Sequence, residues 1–188
     1  GRIRVDTDKD AQPTLLAFDG GKGQLSIIRR GPRDALRVKH AEAPARRDFA
    51  GLQYWPGGAD WQVQARFIAH PPGKTLPIVD ITGLTTEMPN AGAVEFERDG
   101  RSWRLEAIGA PGQPLFLIFA DRTSGRGSYP AGRYLDTDAP AADGTVRIDF
   151  NHAYNPPCAF TAYATCPLAP PENRLDLRVG AGEKAYHL

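Results

Sequence analysis

GAVEFERDGRSWRLEAI, residues 92–108, is the stretch whose reading decides the fold class. Val94 and Phe96 alternate with Glu95 and Glu97 as far as Asp99-Gly100, and Trp103, Leu105 and Ala107 then resume the apolar face. A period of two on both sides of Asp-Gly predicts a β-hairpin with a type I′ turn, because both central residues of that turn need positive φ. Glu95 and Glu97 face Arg101 and Arg104 across the turn. Exposed pairs of this kind contribute only about 0–1 kcal/mol each, so they are read as markers of register and not as catalytic groups.

Working outward, the same logic recurs. Trp61, Val63, Ala65 and Phe67 alternate with Gln62, Gln64 and Arg66, predicting a half-buried strand that Pro71-Pro72-Gly73 ends. Residues 75–81 read as a strand that Pro77 confines to an edge or bulge. Leu115 to Ala120 does not alternate, and a continuous apolar run of that length suits a central strand covered on both faces. Val146, Ile148 and Phe150 point one way while Arg147, Asp149 and Asn151 point the other. Upstream, residues 14–18 and 24–29 flank Asp19-Gly20-Gly21 as a hairpin, and Ala35 to Lys39 adds a third strand. Leu175, Leu177 and Val179 predict a terminal strand. No segment keeps a helical period. The expectation is a single all-β domain over residues 1–188, mainly antiparallel, closed as a barrel or packed as a sandwich.

With 23 basic against 22 acidic residues the chain has no global field for nucleic acid. No apolar run approaches the roughly 20 residues of a membrane span. The chain opens at Gly1 and its single methionine is Met88, which places the initiator upstream of the numbering and any export signal or lipid anchor out of sight. Oligomeric state is not legible.

Residues 149–174, DFNHAYNPPCAFTAYATCPLAPPENR, hold both cysteines, five prolines and three asparagines with almost no periodicity. A loop that long inside a compact domain is functional or tightly stapled. Cys158 and Cys166 are separated by seven residues, wider than zinc-ribbon or redox pairs. A disulfide is the expectation, with two buried free thiols or a metal or catalytic thiol as alternatives. A bridge would place the protein outside the cytoplasm, periplasmic or extracellular, and free thiols within it.

The combination of DRTSGRGSYPAGRYL at 121–135, DFNHAYNPPCAF at 149–160, CPLAPPENRL at 166–175 and AGEK at 181–184 resembles the bacterial and archaeal family called domain of unknown function 1684. ALRVK at 35–39 and FAGLQYWP at 49–56 extend the resemblance over nearly the whole chain. The resemblance implies a domain of about this size and no assigned reaction. Its motifs emphasise Asp121, Thr123, Gly125, Tyr129, Gly132, Arg133, Asp149, Asn151, Tyr154, Asn155, Cys158, Cys166, Glu172 and Asn173.

None of the four histidines, His40, His70, His152 and His187, stands in a metal-binding or protease spacing, and no nucleophile elbow or phosphate loop is present. No cofactor and no metal are expected. The strongest constellation is polar: Asp121, Arg133, Asp149, Asn151, Glu172 and Asn173. Buried carboxylates need partners, which Arg133 or Arg174 can supply bidentately, so the set reads as a clamp holding the long loop to the sheet. The same residues, with Thr123, Tyr129, Tyr154 and Tyr163, also form a candidate pocket for a small polar or sugar-like ligand. The competing reading is a hydrolase-like or metal-assisted enzyme with Asp149 and Glu172 as an acid–base pair.

Overall fold

The structure, a computed structural model, describes residues 4–186. They divide between Ala50 and Gly51 into two compact units. The first is a three-stranded antiparallel sheet of β1 (Leu15–Phe18), β2 (Gly23–Arg30) and β3 (Arg33–His40), in that order. The expected hairpin turn is a 3-10 turn in which Asp19 and Gly20 take φ of 49° and 60°. A one-turn helix, α1 (Pro44–Arg47), follows.

The second unit carries β4 (Gln62–Ala69), β5 (Thr75–Val79), β6 (Thr85–Arg98), β7 (Arg101–Ile108), β8 (Leu115–Phe119), β9 (Arg133–Thr137) and β10 (Thr145–Asp149). They form one antiparallel sheet in the order β10-β4-β6-β7-β8-β9, with β5 added alongside β6. This sheet curls into a half-barrel, so the all-β antiparallel expectation holds. The deciding hairpin is β6 and β7, with Asp99 and Gly100 at φ of 53° and 69°. Glu95 pairs with Arg104 directly across it and with Arg66 on β4, a three-strand ladder of opposite charges at the surface. Pro77 sits in β5, which pairs with β6 alone, where a missing N–H costs no second ladder.

The apolar core explains the strand patterns. One face of the sheet gathers Val94, Phe96, Leu105, Leu115, Leu117, Phe119, Leu135, Ile148 and Phe150. The Phe150 ring meets those of Phe96 and Phe119 with centroids 5.5 Å away in each case, at steep interplanar angles. The opposite face carries a second cluster built on Leu76, Ile78, Ile108, Ile118 and Tyr134. β8 therefore contributes Leu115, Leu117 and Phe119 to one cluster and Ile118 to the other, which is why its sequence does not alternate. Each fully buried side chain of this size contributes about 1.5–3 kcal/mol.

Two elements differ from the sequence reading. Arg133–Thr137 is a strand that the sequence reading did not assign, because pairing with β8 and not periodicity defines it. Leu175, Leu177 and Val179 are buried as an alternating face should be, yet no regular strand forms there. That segment makes a single parallel bridge, Arg174 to Ala120, and a bond from Arg122 N–H to the Leu177 carbonyl. The long loop is not structureless either. It is punctuated by 3-10 turns at Phe150–His152, Pro157–Ala159 and Pro171–Asn173. No helix among the described residues is long and apolar enough to cross a membrane.

Candidate functional site

β8 ends at Phe119 and delivers Asp121 into the interior, and β9 begins at Arg133; both side chains are at most 1% exposed. Arg133 Nη2 donates to Asp121 Oδ2 at 2.6 Å and to the Val179 carbonyl at 3.1 Å. Arg133 Nη1 donates to the carbonyls of Ala181 and Glu183. The guanidinium also lies over the Phe119 ring, 5.3 Å from its centroid. Burial pushes the Arg133 guanidinium below its usual range, and the Asp121 charge opposes that shift. Asp121 also accepts the Thr123 N–H, closing the turn that Gly125 and Ser128 complete. Thr123 Oγ1 donates to Ser128 Oγ at 2.7 Å, and Trp55 Nε1 donates to the same oxygen at 2.9 Å. Gly132 is required here: its φ is 101°, and a Cβ would stand 2.5 Å from the Phe119 carbonyl oxygen.

Asn173 solves a different problem. β7 and β8 pair only at Ile108 and Phe116, and beyond that point their backbones need other partners. Asn173, 1% exposed, fills that gap: Oδ1 accepts the Glu106 N–H at 2.7 Å, and Nδ2 donates to the carbonyls of Glu106 and Ile118, both at 2.9 Å. Its main chain continues the repair, with Ala120 N–H donating to the Asn173 carbonyl and Leu175 N–H to the Ala120 carbonyl. The side chain thus stands in for a strand's worth of ladder bonds.

The remaining expected residues spread over the fold. Asp149 accepts from the backbone and side-chain N–H groups of Asn151, capping the first 3-10 turn, and from Arg147. Burial pushes the Asp149 carboxyl up, but these bonds outweigh it and hold the group below its ordinary value. Asn151 staples the 57–58 turn by exchanging two bonds with Gly58, each 2.9 Å. Tyr154 donates to Asp136, Tyr129 to the Cys158 carbonyl, and Tyr163 is 91% exposed. Glu172 and Arg174 are exposed. Of the expected set, Asp121, Thr123 and Arg133 share one hydrogen-bonded network, and Asp149 shares bonds with Asn151.

Cys158 and Cys166 correct an expectation. Both are free thiols, held close enough that the Cys158 N–H donates to Cys166 Sγ at 3.0 Å. Burial, reinforced by neighbouring Cys158, pushes the Cys166 thiol up to about 12.

One cluster escaped the sequence reading. Glu106, on β7, is 9% exposed. Its Oε1 accepts from Arg104 Nε and Nη2, and its Oε2 accepts from Asn90 Nδ2 at 2.8 Å and lies 2.7 Å from His70 Nε2. Burial pushes the Glu106 carboxyl up, but the bonds from Asn90, His70 and Arg104 prevail and hold it below its ordinary value. Asn90 adjoins a β-bulge at Ala91, whose carbonyl accepts the His70 N–H. A cleft of about 240 Å³ opens over His70, Lys74 and Asn90. Only the bulge, invisible in an alternating pattern, brings these side chains together. Among the described residues no group of three His, Cys, Asp or Glu side chains is placed to hold a metal ion. His187 lies outside the described residues.

Residues 47–184 match the family described as Protein of unknown function (DUF1684). The chain belongs to the DUF1684 family. No curated protein matches it. Five chains of solved structures do. One is the solution NMR structure of the uncharacterised protein from gene locus rrnAC0354 of Haloarcula marismortui, with 32% identity and a TM-score of 0.60 over 76% of this chain and 80% of that one. The DUF1684 region takes in the Asp121–Arg133 pair, Asn173, both cysteines and the His70–Glu106 cluster, whereas the sheet of β1, β2 and β3 lies outside it.

Proposed function

We propose that this DUF1684 chain is a binding or structural β-module. In this reading the DRTSG/GRY, DFNHAYNPPC and CPLAPPEN segments clamp the C-terminal loop to the sheet, and the module takes a small polar ligand without acid–base chemistry at Asp149 and Glu172. The observation that carries the reading is the saturation of Arg133: its terminal nitrogens are consumed by one carboxylate and three carbonyls of the 179–183 segment. The four terminal N–H groups of the guanidinium are thus spent within the fold. Support also comes from Asp149, whose ionised carboxyl is engaged in capping and suits neither a general acid nor a free base.

Unfolding by denaturant tests the clamp. Arg133→Lys keeps the charge but loses the fork that reaches several carbonyls, and Asp121→Asn leaves a buried guanidinium uncompensated. The second change is expected to cost about 3–5 kcal/mol and the first somewhat less. Asn173→Ala strands three backbone groups and is expected to cost about 2–4 kcal/mol. Midpoints like that of the unmodified chain in all three variants would sink the clamp reading.

A further inference from the structure

The first unit, outside the family region, presents an open strand edge whose two faces differ in chemistry. β3 pairs with β2 alone, so one row of its backbone groups has no strand beside it. Ala41 N–H donates to the Lys22 carbonyl one step past the His40–Gly23 pair, so by alternation the odd-numbered residues of β3 bond to β2. The N–H and C=O groups of Asp34, Leu36 and Val38 therefore point outward, and among the described residues no hydrogen bond reaches them. The register places Leu36 and Val38 on one face of the sheet, in rows with Ile27 and with Leu25 and Leu16. Leu36 and Val38 are 63% and 58% exposed, and Leu16 and Phe18 on the same face are exposed too. Arg33, Arg37 and Lys39 stand on the opposite face. Among the described residues none of these three makes an ion pair, and the strand's one carboxylate, Asp34, lies on the apolar side and is held by Arg29 at 2.7 Å. An open edge of this kind is a template for pairing with another chain, and its side chains select which one.

We propose that β3 is a docking edge for an extended segment of another protein in which acidic and apolar residues alternate. The segment adds as a fourth strand. Its apolar residues sit opposite Leu36 and Val38, exchange backbone bonds with them and widen the apolar face. Its carboxylates fall opposite Arg37 and Lys39, where opposite charges across a strand pair are favourable. A second copy of this chain is the poorer occupant. Antiparallel pairing of β3 with itself over most of its length, apolar faces together, sets cations of the Arg33, Arg37 and Lys39 row opposite one another. A membrane surface is disfavoured too, because the cations and the apolar side chains stand on opposite faces and cannot both meet it. The site lies in the first unit, so it depends neither on the Arg133 clamp nor on a pocket in the second.

Amide NMR of the full ¹⁵N-labelled chain tests it with three capped peptides: Glu-Val-Glu-Val-Glu-Val, Lys-Val-Lys-Val-Lys-Val and Glu-Pro-Glu-Pro-Glu-Pro. The second reverses the charge, and the third keeps the charge but removes the N–H groups that would bond to β3. The first is expected to give saturable shifts, largest at the Asp34, Leu36 and Val38 amides. The other two should each bind about tenfold more weakly or worse. Arg37→Glu and Lys39→Glu together should reverse the preference between the first two peptides. The three-peptide comparison uses the unmodified chain, and so decides the matter whether or not that variant folds. The proposal is overturned by no saturable shift up to roughly 5 mM of the first peptide, above the affinity expected of so short a strand. Equal response to the three peptides, or shifts confined to residues after Gly51, overturns it as well. Shifts of the same β3 amides with protein concentration in the chain alone would overturn it in favour of a second copy.

Discussion

Glu106 shows at the scale of one residue how environment sets chemistry. Its carboxyl is depressed below 4.5 in the folded chain because Asn90, His70 and Arg104 all donate to it. A carboxyl depressed on folding contributes stability that is present above its unfolded value and lost as pH falls through the folded one. Stability to denaturant is therefore expected to decline as pH drops below 4.5, and Glu106→Gln should show a smaller decline over that window. An identical pH slope in the two proteins would contradict the assignment. Residue type alone announced part of this layer: buried carboxylates need partners, which Arg133 or Arg174 could supply, and Arg133 is the one that meets Asp121. Glu106 did not, because on an alternating strand it sits opposite Leu105 and Ala107 and reads as solvent-facing. It is buried only because a second apolar cluster covers that face of β7 next to Ile108.

Elements were legible where local chemistry sufficed. Asp99-Gly100 and the period-two faces of β6 and β7 need no long-range information, since a type I′ turn and a pleated strand are each encoded within a few residues. β9 and the stretch from Leu175 to Val179 were read less well, because their backbone bonds go to β8 and to the 120–122 segment, partners distant in the chain. The cysteines belong to this scale too, as members of one proline-flanked loop. Thiol titration without reductant should find two thiols per chain after denaturation, with Cys166 reacting only then, since it is 4% exposed and its pKa is pushed up to about 12. Finding none after denaturation would mean that the pair is bridged.

At the scale of the whole molecule, the two compact units raise a folding question that the sequence could not pose. Both apolar clusters of the second unit are drawn from residues between Trp61 and Ala181, with none from the described residues of the first 50. A chain beginning at Gly51 is expected to unfold cooperatively with dispersed amide resonances, within about 1–2 kcal/mol of the full chain. A molten or aggregated product would show instead that the chain folds as one domain. By itself the sequence determined the all-β class, the deciding hairpin, the buried central strand and the family, because each is written in short-range periodicity or in contiguous motifs. Only the tertiary structure decided that Asn173 replaces missing ladder bonds, that Arg133 is saturated, that the thiols are free, and that a bulge at Ala91 gathers His70, Asn90 and Glu106. Those are outcomes of which distant backbone groups meet, and hydrogen-bond satisfaction across a curled sheet is not a property of any one segment.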